Sequence, residues 1–201
     1  VGDVAAIVDL VGEPVHVVGH DWGAALAWWV ACDRPDLCRT LTAVSVPHPG
    51  AFLSAIATTA QARDSWYMAA FQLPVLPELL LGDPRRAAAM LRSSGQSATG
   101  AARDAARLAD RRVRRGGLGW YRAMAFGAPR LLRATTPVPV LQIWSDGDVA
   151  VREESNRRAE RYATGGFRME VLPGISHWIP DEVPDRLAAL VLEHVAAAEV
   201  T

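Results

Sequence analysis

The stretch Val15-His16-Val17-Val18-Gly19-His20-Asp21-Trp22-Gly23-Ala24 decides how the 201-residue chain is read. A short run with alternating β-branched residues leads into Gly-His-Asp-Trp-Gly, and a small, apolar helix pattern follows at once through Ala24, Ala25, Leu26, Ala27, Trp28, Trp29 and Val30. That order predicts a strand, a sharp turn and a helix.

The turn has the form Gly-x-Asp-x-Gly, a nucleophile elbow with Asp in the Ser position. An elbow residue sits in a strained backbone conformation with the helix packed close behind it, so glycines at 19 and 23 are expected for lack of room. The helix N-terminus offers N–H groups and a positive dipole end to an anionic side chain or a developing oxyanion. A carboxylate nucleophile makes an ester that water must then cleave. Substrates for that chemistry carry an sp3 carbon with a leaving group, such as an epoxide or a haloalkane. The competing reading is that Asp21 only caps the helix, a role Asp favours.

Half the residues are hydrophobic, 21% are charged and the formal net charge is −1, which suits one soluble globular domain. This near-neutral balance gives no electrostatic case for nucleic acid or an anionic membrane. All 21 basic residues are Arg. The Arg-rich run at 103–115 reads as a solvated helix face. Cys32 and Cys38 are expected to be free thiols in a reducing cytoplasm, and neither has the company a metal site needs. No stretch reaches the ~18 apolar residues of a membrane span, and no secretory signal precedes the first helix.

In chain order, the pattern predicts a helix over 2–11, a strand over 15–20, the elbow helix to about 33 and a strand over 41–46. Four helices follow, over 51–72, 84–94, 99–114 and 117–134, with breaks at 73–77, 82–84 and Gly116-Gly117. Strands at 138–144 and 167–172 flank a helix at 152–163, and a helix over 181–197 closes the chain. Unbroken apolar strands alternating with helices indicate a parallel sheet.

Asp21, then Asp146 or Asp148, then His177 fall at the C-terminal ends of successive strands, the edge where catalysts gather in open α/β sheets. The order nucleophile, acid, histidine is that of the α/β-hydrolases. Gly19-His20-Asp21-Trp22-Gly23, Val46-Pro47-His48-Pro49, Ser65-Trp66-Tyr67, Phe71-Gln72-Leu73-Pro74, Trp120-Tyr121-Arg122, Ser145-Asp146-Gly147-Asp148 and Ser176-His177-Trp178 together resemble α/β-hydrolase-fold epoxide hydrolases over essentially the whole chain.

The resemblance implies a hydrolase core over 1–50 and 136–201, with a helical cap over 51–135. It implies Asp21 as nucleophile, His177 as the base for water, and Asp148, at the matching motif position, as its acid partner. It implies Tyr67 and Tyr121 as proton donors to the oxirane oxygen and the Trp22 N–H as an oxyanion donor. His20 would line the pocket, with His20 and His48 supporting loops. Without the resemblance, Tyr67 and Tyr121 read as core aromatics; Tyr162, His16 and His194 read as structural either way. No cofactor and no metal is implied. The partners are a small epoxide and water, in the cytoplasm.

The departure is at the front. Several strands and a His-Gly-x-Pro loop precede the 2–11 helix in the family, and this sequence has no His-Gly-x-Pro. The expectation is an N-terminally truncated, partial fold of about four parallel strands, with strand 15–20 left as an apolar edge and turnover reduced or absent. A homodimer or a complementing N-terminal segment stays open. The rival functions are a haloalkane dehalogenase, for which an indole after the nucleophile suits a leaving halide, and a non-catalytic fragment.

Overall fold

The computed structural model describes residues 1–124 and 129–199. Four strands, β1 (Val15–His20), β2 (Cys38–Val44), β3 (Val140–Ser145) and β4 (Phe167–Leu172), form one all-parallel sheet in the order β1-β2-β3-β4. Among the described residues β1 has β2 as its sole neighbour.

Alternation along the strands sends side chains to two faces. Leu41, Ala43 and Val140 pack with α1 (Gly2–Val11) and α2 (Trp22–Asp33) through Val8, Ala24, Ala27, Trp28 and Ala31. Val44, Leu141, Ile143 and Leu172 pack against α12 (Pro184–Glu199) through Leu187 and Leu190. The result is helix, sheet, helix, with the strand C-termini gathered at one edge. β2 and β3 are fully or nearly fully buried, as central parallel strands must be.

Residues between β2 and β3 are helical: α3 (Pro49–Thr58), α4 (Gln61–Asp64), α5 (Trp66–Ala70), α6 (Leu76–Gly82), α7 (Pro84–Ser93), α8 (Ala98–Ala109) and α9 (Arg111–Ala123). The single helix expected over 51–72 is three pieces. Thr58 and Thr59 bond back to the Ser54 and Ala55 carbonyls, Thr59 is extended, and such local side-chain bonds compete with helix continuation. A helix, α6, starts inside the break expected at 73–77 and ends inside the one expected at 82–84. The helix break expected at Gly116-Gly117 lies instead at Asp110, whose carboxylate accepts from the Arg112 N–H as an N-cap. α9 runs through three glycines because Leu118 is buried and Arg114 reaches the terminal carbonyls of Leu108 and Ala109. The helix expected over 117–134 overlaps α9, and its 125–128 portion lies outside the described residues.

Two further boundaries move. β2 starts at Cys38 and stops at Val44, since Ser45 turns to φ 67°, where 41–46 was expected. The helix at 152–163 is α10 (Glu153–Arg157) followed by a 3-10 turn. A short α11 (Ile179–Glu182) precedes α12.

Candidate active site

Asp21 links β1 to α2 at φ 54°, ψ −122°, a region costly for a side-chain-bearing residue. Its carboxylate makes no capping hydrogen bond, so the bland helix-cap role is not what it does. The Asp21 carbonyl, not its side chain, takes the first helical N–H groups, from Ala24 and Ala25. The tight turn demands Gly19: a Cβ there would lie 2.2 Å from the Gly23 carbonyl oxygen. Gly23 is different. A Cβ on it would meet nothing within 4 Å, so the expected steric need at 23 is corrected: only the first glycine is required for space.

His177 follows β4 in the loop before α11. Its Nδ1 is 2.7 Å from Asp148 Oδ2 and its Nε2 is 3.5 Å from Asp21 Oδ1. The Asp148 side chain is inaccessible to solvent, and its other oxygen accepts from the N–H groups of Ala150 and Val151. Asp146, the competing acid, turns away and accepts from the Gly174 N–H. The chain Asp21, His177, Asp148 is thus continuous.

Burial opposes a charge on His177, but the hydrogen bond to Asp148 and the fields of the Asp148 and Asp21 carboxylates outweigh it, and its pKa is raised to about 10. Enclosure by protein would by itself raise the Asp21 carboxyl; the adjacent charged His177 and the Trp22 N–H reverse this and hold it below its usual range. The resting pair is therefore imidazolium and carboxylate.

The histidine loop is held by its backbone. The Ile175 carbonyl accepts from the Gly147 N–H, the Ser176 carbonyl from Ser145 Oγ at 2.8 Å, and the His177 carbonyl from Ser45 Oγ at 3.0 Å. His20 Nε2 also meets the His177 carbonyl, at 2.9 Å. Three consecutive carbonyls are pinned by the ends of β1, β2 and β3. Burial and the His177 charge lower the His20 pKa, so it stays a neutral donor there. Neither Ser45 nor Ser145 was singled out from the sequence; each directly follows or ends a strand, which is the signal that was available.

Tyr67 on α5 and Tyr121 on α9 meet with ring centroids 6.0 Å apart, and Tyr121 stands edge-on to Trp22 at 5.0 Å. Burial raises both phenol pKa values, with the Asp21 charge adding to each; both are neutral proton donors at any ordinary pH. Asp21, Trp22, Tyr67 and Tyr121 line a partly open cavity whose other walls include Trp29, Phe52, Leu53, Met68 and Val151. A mostly apolar cavity with a few converging polar groups is the usual form of a small-molecule site.

The remaining histidines are structural. His16 Nδ1 meets Thr40 Oγ1 at 2.9 Å. His48 Nδ1 accepts from the Gly50 N–H, and its ring stacks on Tyr162 at 3.8 Å. His194 is buried on α12. Cys32 and Cys38 are free thiols. Among the described residues no cluster of three or more His, Cys, Asp or Glu is placed to hold a metal, and no helix is long and apolar enough to cross a membrane.

A model of the alpha/beta hydrolase family matches residues 1–190. The chain belongs to the α/β hydrolases. This α/β hydrolase is 30% identical over 199 residues to AB hydrolase superfamily protein YfhM of Bacillus subtilis, covering 96% of this chain and 69% of that one. It is 29% identical over 189 residues to epoxide hydrolase 3 of Xenopus tropicalis, covering 87% of this chain and 51% of the relative. Among solved structures, epoxide hydrolase A of Mycobacterium thermoresistibile superposes with a TM-score of 0.78 at 25% identity, covering 96% of this chain and 73% of that one. A Bacillus megaterium epoxide hydrolase bound to an inhibitor, at 22% identity, has the same fold with a TM-score of 0.78. The chain spans about half the length of the vertebrate epoxide hydrolases it matches, 51% and 56% of two of them.

Proposed function

We propose that the chain hydrolyses epoxides to vicinal diols through a covalent ester on Asp21. The observation that carries this reading is that Asp21, joined to His177 and through it to Asp148, shares one mostly apolar cavity with two neutral phenols. Residues 51–135 would form the lid that brings the phenols, on a core of 1–50 and 136–201.

The protons balance. An Asp21 oxygen attacks an oxirane carbon, the C–O bond breaks, and Tyr67 or Tyr121 protonates the alkoxide. The charged His177 returns a proton to the phenolate by way of cavity water, which leaves a neutral imidazole. With Asp21 esterified, one of the two charges that held His177 protonated is gone, so this loss is eased. Neutral His177 then takes a proton from a water that attacks the ester carbonyl. The oxyanion forms beside the Trp22 N–H. Collapse expels the product alkoxide, which takes the proton of the re-formed Asp21 carboxyl to give the diol, and carboxylate and imidazolium are restored. Asp148 fixes the tautomer throughout.

Asp21→Asn should be inert, and His177→Gln should accumulate an alkylated residue 21, seen as added mass equal to the substrate. A His177→Gln variant that turns over normally would refute the mechanism. Halide release from a bromoalkane, with no diol from styrene oxide, would instead assign the dehalogenase. The free thiols fit a cytoplasmic protein, and the open edge of β1 is where a complementing strand, in cis or from a second chain, would add.

A further inference from the structure

The net charge of −1 conceals a split. Residues 51–135 hold thirteen arginines and five acidic residues, a formal +8; the rest of the chain holds eight arginines and seventeen acidic residues, a formal −9. The five acidic side chains of the helical segment are all engaged. Asp64, Glu78 and Asp104 pair with Arg152, Arg122 and Arg103, and Asp83 and Asp110 cap helices. Arg85, Arg86, Arg111, Arg112 and Arg115 are exposed, and none makes a side-chain hydrogen bond or ion pair among the described residues.

The same surface carries aliphatic side chains in water. On α6, Leu76, Leu79 and Leu80 are 50%, 64% and 42% exposed, with Val75 before them at 63% and Val113 of α9 at 49%. They are intermixed with the arginines: Val75 and Leu79 share one cleft with Arg111, Arg114 and Arg115. The cleft is rigidly framed, because Arg122 bonds to Glu78 and to the carbonyls of Phe71 and Leu73. Single exposed leucines are ordinary, but several together beside the unpaired Arg111 and Arg115 mark an interaction surface.

We propose that this α6–α9 face docks on the surface of an anionic phospholipid bilayer. The chemistry favours that occupant. Leucine and valine enter the boundary between headgroups and acyl chains while arginines meet the phosphates. A nucleic acid would use the cations but leave the aliphatic residues in water, since it is bound through phosphate contacts and aromatic stacking. A second copy could match the charge through its acidic part; the test separates that case. The docking is peripheral and needs no spanning helix. It revises the reading of the Arg-rich run as a merely solvated face. It places α9, which carries Tyr121 about 9 Å along its axis from Arg115, where an apolar solute of the bilayer would arrive.

The experiment is co-sedimentation of the full chain with sucrose-loaded vesicles. Vesicles of phosphatidylcholine with one-third phosphatidylglycerol should pellet it, pure phosphatidylcholine should not, and high salt should release it. Each arginine near such a surface is worth roughly a factor of five in partitioning, so Arg111→Glu/Arg112→Glu/Arg115→Glu should bind at least ~100-fold more weakly. Leu76→Ser/Leu79→Ser should weaken binding while leaving its salt dependence unchanged. Far-UV circular dichroism and a thermal melt establish that both variants fold. The proposal is overturned if the chain stays in the supernatant with the anionic vesicles, or if the charge-reversed variant pellets like the parent. It is equally overturned if sedimentation velocity without lipid finds a self-associated chain that the same reversal dissociates, or if a single-stranded oligonucleotide binds at lower concentration than the vesicles.

Discussion

The Nε2 of His177 lies 3.5 Å from Oδ1 of Asp21, close enough for charge attraction and too long for a strong hydrogen bond. The firmer contact is on the other ring nitrogen, 2.7 Å from Asp148. In the proposed mechanism the base is therefore held by one carboxylate and only electrostatically coupled to the one it would free. That asymmetry separates the two halves of the reaction. Replacing Asp148 with Asn should leave ester formation on Asp21 nearly intact and slow ester hydrolysis by up to ~10⁴-fold, the scale seen when a triad acid is neutralised elsewhere. Rapid mixing followed by intact-mass measurement checks this; equal slowing of both steps would contradict it.

The same group links stability to pH. The pKa of His177, raised to about 10 in the fold, exceeds its unfolded value of ~6.5. Its contribution to stability is full below pH ~6.5 and falls away as pH rises toward 10. Thermal melts of the parent and of Asp148→Asn should differ most near pH 6, and the gap should close by pH 10.

The two phenols are expected to share one role. With both pKa values raised by burial and neither hydroxyl needed for the Asp21–His177–Asp148 chain, Tyr67→Phe or Tyr121→Phe should slow alkylation of Asp21 by ~10²-fold or more and leave ester hydrolysis alone. The double variant should cost more than either single one. The readout is the single-turnover rate of mass gain on Asp21.

The two elbow glycines should part company. Gly19→Ala forces a carbon to within 2.2 Å of a backbone oxygen, and neither strand nor helix can yield; a loss of ~3 kcal/mol or more is expected. Gly23→Ala meets open space in the first turn of α2, where Ala is the better helix former, so the change should be neutral or stabilising by up to ~1 kcal/mol. Urea unfolding of the two variants decides it.

This pair also shows what the sequence could and could not tell. The strand, turn and helix around Asp21, the four-strand parallel sheet and the meeting of Asp21, an acid at 146 or 148 and His177 at one sheet edge were legible, because period-2 and period-3.6 patterns and the strand-end rule act locally; the choice of Asp148 over Asp146 came from the resemblance. Which glycine is sterically required was not, since that depends on how closely two backbones approach. The helical segment was read least well. Its breaks are set by Thr59 and Asp110 side chains competing for backbone groups, and a helix crossed three glycines at 116, 117 and 119 because Arg114 and Leu118 hold it from outside. The serines that pin the histidine loop are a tertiary fact: Ser45, Ser145 and residues 175–177 come from three separate strand ends.

Acid should weaken the fold through His48. Burial, then the Arg161 charge, lower its pKa to about 3 against an opposing contribution from the Leu131 carbonyl. Between pH ~6.5 and 3 the unfolded chain binds a proton there that the folded chain does not, so stability rises with pH across that window and is lost on acidification. His48→Gln should melt lower at pH 7, having lost the Tyr162 stack, yet lose less stability than the parent between pH 7 and 4. Parallel pH dependences would exclude His48 as the titrating group.

The loop latch makes the sharpest kinetic claim. Ser45 Oγ and His20 both hold the His177 carbonyl, and Ser145 Oγ holds the one before it. A lost hydrogen bond of this kind costs ~1 kcal/mol of stability, so Ser45→Ala and Ser145→Ala should fold and melt only a few degrees lower. Ester formation on Asp21 needs the carboxylate and the phenols but no exact placement of His177. Ester hydrolysis needs the imidazole aimed at a water, and small misplacements there are expensive. Both variants should therefore slow hydrolysis of the trapped ester by about tenfold while alkylation keeps its rate. Ser145→Thr, which retains the hydroxyl, should restore most of the loss. If alkylation and hydrolysis slow together, or threonine fails to rescue a variant whose melt is normal, the serines merely stabilise the loop and do not aim the histidine.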